Sequence, residues 1–101
     1  MKKVFLSHPM SGKSDAEIYS IRYEMREYIR KELNEDVEIL SSYFNLGDKH
    51  PLVYLGKCLA LMSKADVVLV HPDWKISRGC RVEVDAAMLY KIPHVIFMED
   101  K

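Results

Sequence analysis

Glu83 is the residue of this sequence whose type and position first call for a chemical reading. It lies in Trp74–Lys91, "WKISRGCRVEVDAAMLYK", where a Ser-Arg-Gly turn opens a stretch with helical spacing. At about 100° per residue, Arg78, Arg81 and Asp85 gather on one side of that helix and Glu83 falls opposite their centre. Its expected neighbours are Gly79, Ala86, Ala87 and Tyr90, mostly small, which leaves space around a carboxylate where a core would be filled. Helical side chains lean toward the N-terminus, so Glu83 is expected to reach back toward the crevice at the strand ends. A carboxylate on an apolar face must find a partner, shift its pKa or serve in chemistry, because burying an unpaired charge is costly. Two readings stand: a chemically active acid, or a structural acid paired with His8, His71 or Lys13.

Other reactive types cluster near chain turns. Ser77 and Gly79 open the same helix, where free backbone amides and the helix dipole favour an anion such as a phosphate, although a helix cap alone would also explain Ser77. The segment "SHPMSGK" brings Ser7, Ser11, Gly12, Lys13 and Ser14 to a second helix start. It lacks the Gly-x4-Gly-Lys-Ser/Thr spacing of a Walker A loop, so it fits a small polar or phosphate site and not ATP-type hydrolysis. Asp73 is a candidate proton donor or a solvated loop residue. Trp74 is placed to stack on a nucleobase or to act as a packing lid. His8, His50, His71 and His94 have no metal-ligand spacing within one element, so neither a metal nor a cofactor is expected.

These groups need a scaffold. "KVFLS" is a short apolar run ending near Ser7, stopped by Pro9 and Gly12, and reads as a buried strand. Ser14 with Glu17 forms a capping box. Ile18, Ile21, Met25, Ile29 and Leu33 then mark an amphipathic helix to about Asn34. "VEIL" is a second strand, Leu52 to Lys64 a second helix, and "ADVVLV" a third strand buried on both faces. "PHVIF" supplies a fourth. Strand and helix alternating in this way predict right-handed crossovers and one parallel sheet between helical layers. The expected architecture is α/β, a small flavodoxin-like (Rossmann-like) three-layer sandwich of about four strands in order 2-1-3-4. Ligands of such sheets sit beyond the carboxyl ends of the strands, where the order reverses.

The 101 residues suffice for one domain spanning 1–101. With 49% hydrophobic and 30% charged residues the composition is that of a soluble globular protein, and no segment approaches the roughly 20 apolar residues of a membrane span. Basic and acidic residues number 15 each, which gives no basis for binding a nucleic acid polymer. "MKKVFLSHPM" fails as a secretory signal, and Cys58 and Cys80 lack metal-type spacing, so a cytoplasmic protein with reduced thiols is expected. Met88, Leu89, Ile92 and Val95 form an apolar band with few charges, predicting a homodimer or larger homo-oligomer.

"DVVLVHPDWKISRGCRVEVDAAMLYKIPHVIF" resembles the C-terminal half of the nucleoside 2-deoxyribosyltransferase-like family, which includes the deoxynucleoside 5'-monophosphate N-glycosidases. Ser77, Gly79 and Glu83 match its Ser-x-Gly-x3-Glu pattern in register. "VFLSHPMSGK" is similar to the family's first strand and substrate loop, and "SSYFNL" to the segment after its second strand. The resemblance implies that Glu83 attacks the anomeric carbon of a deoxyribose, that the base leaves, and that water or a second base resolves the covalent intermediate. Together with the loop readings it makes Phe5, Ser7, His8, Met10, Gly12, Lys13, Tyr43, Trp74, Ser77 and Gly79 substrate-binding candidates, with Asp73 beside Glu83 as catalytic. A small nucleoside or nucleotide is the expected partner, and Ser at position 77 favours one carrying a 5'-phosphate.

Phe5 stands where the family has a Tyr, and Cys58 where it has an Asp that contacts the base; Asp73, His8 and Tyr90 are the residues left that could carry a proton. These departures support a second hypothesis, a catalytically silent module that sequesters or senses a nucleotide-derived ligand. "KKVFLS" also looks like the opening of TIR domains, some of which cleave NAD with a Glu, although the chain is short for that fold.

Overall fold

The computed structural model describes residues 1–43, 47 and 49–98. Strand β1 (Lys2–Ser7) is followed by α1 (Asp15–Leu33), β2 (Val37–Ile39), α2 (Pro51–Met62) and β3 (Val67–Val70). A single 3-10 turn (Trp74–Ile76) then leads to α3 (Arg78–Leu89) and β4 (His94–Ile96). The strands form one parallel sheet, as the alternating pattern predicts, in the order β2-β1-β3-β4 expected of a flavodoxin-like fold.

Alternation within the two central strands decides what each helix covers. Val4 and Leu6 of β1 with Val67 and Leu69 of β3 face α1, where Met25 and Ile29 close one core layer. Phe5, Val68 and Val70 face the other way, onto Cys58 and Met62 of α2 and Val84 and Ala87 of α3. The sheet is thus sandwiched between α1 on one side and the α2–α3 pair on the other. Because Ser7 follows Phe5 by two residues, it shares the α2–α3 face, and this one-in-two register carries it to Glu83.

The helix starts obey local chemistry. The Ser14 hydroxyl accepts the Glu17 amide at 3.2 Å and the Glu17 carboxylate accepts the Ser14 amide at 3.1 Å, completing the capping box. Helix α1 ends at Asn34 in the left-handed conformation, φ 52°. Helix α2 stops at Met62, short of the expected Lys64, because the Ser63 and Lys64 amides turn to Ala60 and Leu61 in a tightened last turn. The loop expected after β3 contains the 3-10 turn. Tyr90, expected on the inward side of α3, is 81% exposed. It is the C-cap, beyond the last helical residue, so the helical angle no longer applies to it. No described helix is long and apolar enough to cross a membrane.

Candidate active site

Strands β1 and β3 finish together at the place where the strand order reverses: the His71 amide donates to the Ser7 carbonyl at 2.8 Å. Ser7 is fully buried and its hydroxyl donates to Glu83 Oε1 at 2.7 Å. Glu83 is only 7% exposed and lies on the buried side of α3 with Cys80, Val84 and Ala87. No cation reaches it: among the described residues it forms no ion pair, and its polar partners are Ser7 and the Cys58 thiol. The structural-acid alternative, pairing with His8, His71 or Lys13, is therefore not what the fold builds. Burial pushes the Glu83 carboxyl up to about 7, and the hydrogen bonds from Ser7 and Cys58 only partly oppose this.

Beside Glu83 lies an open hollow of about 180 Å³. His8, Met10 and Ser11 of the β1–α1 loop form one wall; Pro51, Tyr54, Leu55 and Cys58 of α2 form the other. Ser77, Gly79 and Cys80 at the start of α3 close the base beside Glu83. A second hollow of about 340 Å³ shares Ser11, Ser77 and Gly79 and continues past Pro9 to Lys13, Asp73 and Arg78. Together the two reach the size of small-molecule sites, roughly 300–1,000 Å³. The first is largely apolar. The second carries two cations, two hydroxyls and the first turn of α3, whose leading amides have no partner inside the helix. Asp73 sets one negative charge against this, with its side chain 66% exposed and 3.9 Å from His71 Nδ1.

Sequence reasoning missed Arg22, which sits behind His8. One guanidinium nitrogen donates to Ser42 Oγ at 2.9 Å and to His8 Nε2 at 3.0 Å, and the other to the Leu40 carbonyl at 3.0 Å. No carboxylate pairs with it among the described residues. Since guanidinium can only donate, His8 Nε2 must accept, and the ring proton resides on Nδ1, facing the Pro9 carbonyl at 3.4 Å. Burial, then the charge of Arg22, pushes His8 down to about 4, so it is neutral at physiological pH.

The structure thus gathers His8, Met10, Ser77, Gly79 and Glu83 around one hollow, with Ser7 buried behind Glu83, and Lys13 and Asp73 with Ser77 and Gly79 around its neighbour. Gly12 lines neither hollow and turns the β1–α1 loop at φ 77°, which explains the residue type. Three candidates stand elsewhere. Phe5 is fully buried in the α2–α3 core layer. Tyr43 hydrogen-bonds Asp15 and packs edge-on against Tyr19, 5.7 Å between ring centres. Trp74 packs against the α2–α3 layer with Lys75 over its ring, in a separate hollow beside Arg81 and Asp85. Of the Ser41–Leu46 segment, Phe44, Asn45 and Leu46 lie outside the described residues. Ser77 is also the α3 N-cap, its hydroxyl oxygen accepting the Cys80 amide at 3.3 Å, so the cap and site readings hold together. Cys58 and Cys80 are free thiols, and no described group of three or more His, Cys, Asp or Glu residues could hold a metal ion.

Fold and site together define a flavodoxin-like α/β domain with a buried, cation-free carboxylate at its topological switch point. The chain belongs to the family described as a domain of unknown function (DUF4406), which matches residues 2–96. Its fold is similar to a crystal structure of a conserved protein from Enterococcus faecalis V583, with a TM-score of 0.69 and 18% sequence identity. That likeness covers 100% of this chain and 65% of the other, so the chain spans just under two thirds of that protein's length. No curated protein matches the chain in sequence.

Proposed function

We propose that this protein cleaves or transfers the N-glycosidic bond of a 2'-deoxynucleoside or its 5'-monophosphate, with Glu83 as nucleophile. One observation carries the reading: Glu83 is buried, held by Ser7 through one oxygen, free of any basic partner among the described residues and bordered by an open hollow. A carboxylate neutralised by a cation would be a poor nucleophile and a poor stabiliser of an oxocarbenium-like centre; the ionised form of this one, which prevails above about pH 7, has no counter-charge to compete with the sugar. The apolar hollow under Met10, Pro51 and Leu55 suits a base, and the polar one at Ser11, Lys13 and the α3 amides suits a 5'-phosphate. In the first step Glu83 attacks C1' as the C1'–N bond breaks. In the second, water or another base attacks C1' and frees the carboxylate. The resemblance of the Ser77-Gly79-Glu83 spacing to the deoxyribosyltransferase-like family supports the same chemistry.

The test is a panel of deoxynucleosides and their 5'-monophosphates assayed chromatographically for free base. Wild-type protein should release base, and Glu83→Gln should lower release at least about 1,000-fold, given the acceleration such groups supply. Undiminished release by the variant excludes the mechanism. Phe5 and Cys58, which place a ring and a thiol where the resemblance expects a hydroxyl and a carboxylate, favour one second reading: a nucleotide-binding module without turnover. Saturable binding by calorimetry with no base released over hours would select it.

A further inference from the structure

N-glycoside cleavage has two requirements, an attack on C1' and an exit for the base. A neutral purine or pyrimidine departs as an anion unless an acid protonates it, and that acid contributes typically about 100- to 10,000-fold. The proton-bearing groups on the walls of the Glu83 hollow can be accounted for one by one. His8 carries its single proton on Nδ1, toward the Pro9 carbonyl, while its Nε2 is occupied by Arg22. Burial lowers its pKa to about 4, so it takes no second proton near neutrality. The Tyr54 hydroxyl donates to the Gly47 carbonyl at 2.6 Å. The Cys58 thiol contacts Glu83 and the Ser42 carbonyl, and burial followed by the Glu83 charge pushes it up to about 12. Cys80 is also raised by burial. Ser11 and Ser77 are hydroxyls. Glu83 must be ionised to attack and cannot protonate the base in the same step. Asp73 is on the wall of the other, polar hollow with Lys13 and Arg78.

The hollow therefore presents, among the described residues, a carboxylate without a cation and no acid suited to a leaving base. Resting on the N-glycosidase reading above, we infer that the site is built for N-glycosides whose base is already a cation, such as an N7-alkylated purine or a pyridinium ring. The chemistry balances without an added proton. A Glu83 oxygen forms the bond to C1', the C1'–N electron pair passes to the cationic ring nitrogen system, and the base leaves neutral. Water then attacks C1', its proton passing to solvent as the C1'–Oε bond breaks, which restores the carboxylate and yields the free sugar. The cationic ring also supplies the positive charge that the buried carboxylate lacks, favouring its ionised form on binding. Arg22 does not compete for this role, because its guanidinium is turned to His8, Ser42 and the Leu40 carbonyl.

A matched pair of probes isolates the point: 2'-deoxyguanosine 5'-monophosphate and its N7-methyl derivative, identical in sugar and phosphate. Free base is followed with wild-type protein across pH 5 to 9, with the enzyme-free rate subtracted and Glu83→Gln as control. The inference expects kcat/KM for the methylated probe at least about 100-fold above the parent. It also expects the rate for the methylated probe to rise with an ascending limb near pH 7, as Glu83 ionises. Comparable kcat/KM for the two probes, or release from the parent alone, would reveal a working general acid and overturn the inference while leaving the N-glycosidase reading intact. Release from neither probe, or equal release by the Glu83→Gln variant, overturns that reading and this inference with it.

Discussion

Glu83 and His8 are opposed in how they couple folding to pH. The unfolded chain ionises Glu83 near 4.5 and the folded chain near 7, so between those values the native state holds the extra proton and stability falls as pH rises. The unfolded chain protonates His8 below 6.5 and the folded chain only near 4, so across that window stability rises with pH. Each effect amounts to about 3 kcal/mol at most, and between about 4.5 and 6.5 they nearly cancel. Glu83→Gln should uncover the His8 slope: urea denaturation should show the variant gaining up to about 3 kcal/mol from pH 4 to 6.5 and exceeding wild type by a similar amount at pH 8. Parallel curves for the two proteins would contradict the Glu83 assignment, and a variant whose stability does not rise from pH 4 to 6.5 would contradict that of His8. Glu83 was legible in the sequence because an acid opposite the charged side of a helix is conspicuous. Arg22 obeys the same rule, four residues after Ile18 and three before Met25. It was passed over because long basic side chains commonly cover apolar surface with their stems while the charge reaches water.

At the scale of elements, Arg22 ties the end of β1, through His8, to the chain leaving β2, through Leu40 and Ser42. Arg22→Met should leave a buried carbonyl, hydroxyl and ring nitrogen without their donor, at a cost of roughly 2–4 kcal/mol. It should also raise the His8 pKa from about 4 toward its ordinary range, because Arg22 is the second cause of the depression after burial. Histidine proton NMR checks the shift, and an unmoved resonance would show that Arg22 does not set the state of His8. Elements carrying a local signal were readable: the Ser14–Glu17 capping box fixed the start of α1, and the alternation of β1 fixed its two faces. The 3-10 turn at Trp74–Ile76 was not, since three residues show no period. The separation of Trp74 and Tyr43 from the hollow was equally hidden, because it depends on ring contacts between distant segments.

At the scale of the molecule, the parallel sheet follows from alternating strands and helices, and the β2-β1-β3-β4 order, expected by analogy with flavodoxin-like folds, creates the switch point that holds Ser7 and Glu83. The expected apolar band is largely exposed: Met88 is 57% accessible, Leu89 77% and Val95 39%. Self-association through this band is our proposal for how it is covered. Light scattering should give a mass of at least two chains, reduced to one by Leu89→Asp, and a monomeric wild type would contradict it. The central claim, covalent participation of Glu83, is tested most directly by quenching wild-type protein during turnover of a deoxynucleoside 5'-monophosphate and weighing its peptides. The account predicts a deoxyribosyl-phosphate adduct on the peptide containing Glu83, absent from Glu83→Gln. Base release that continues in the variant, with no adduct in the wild type, would contradict it.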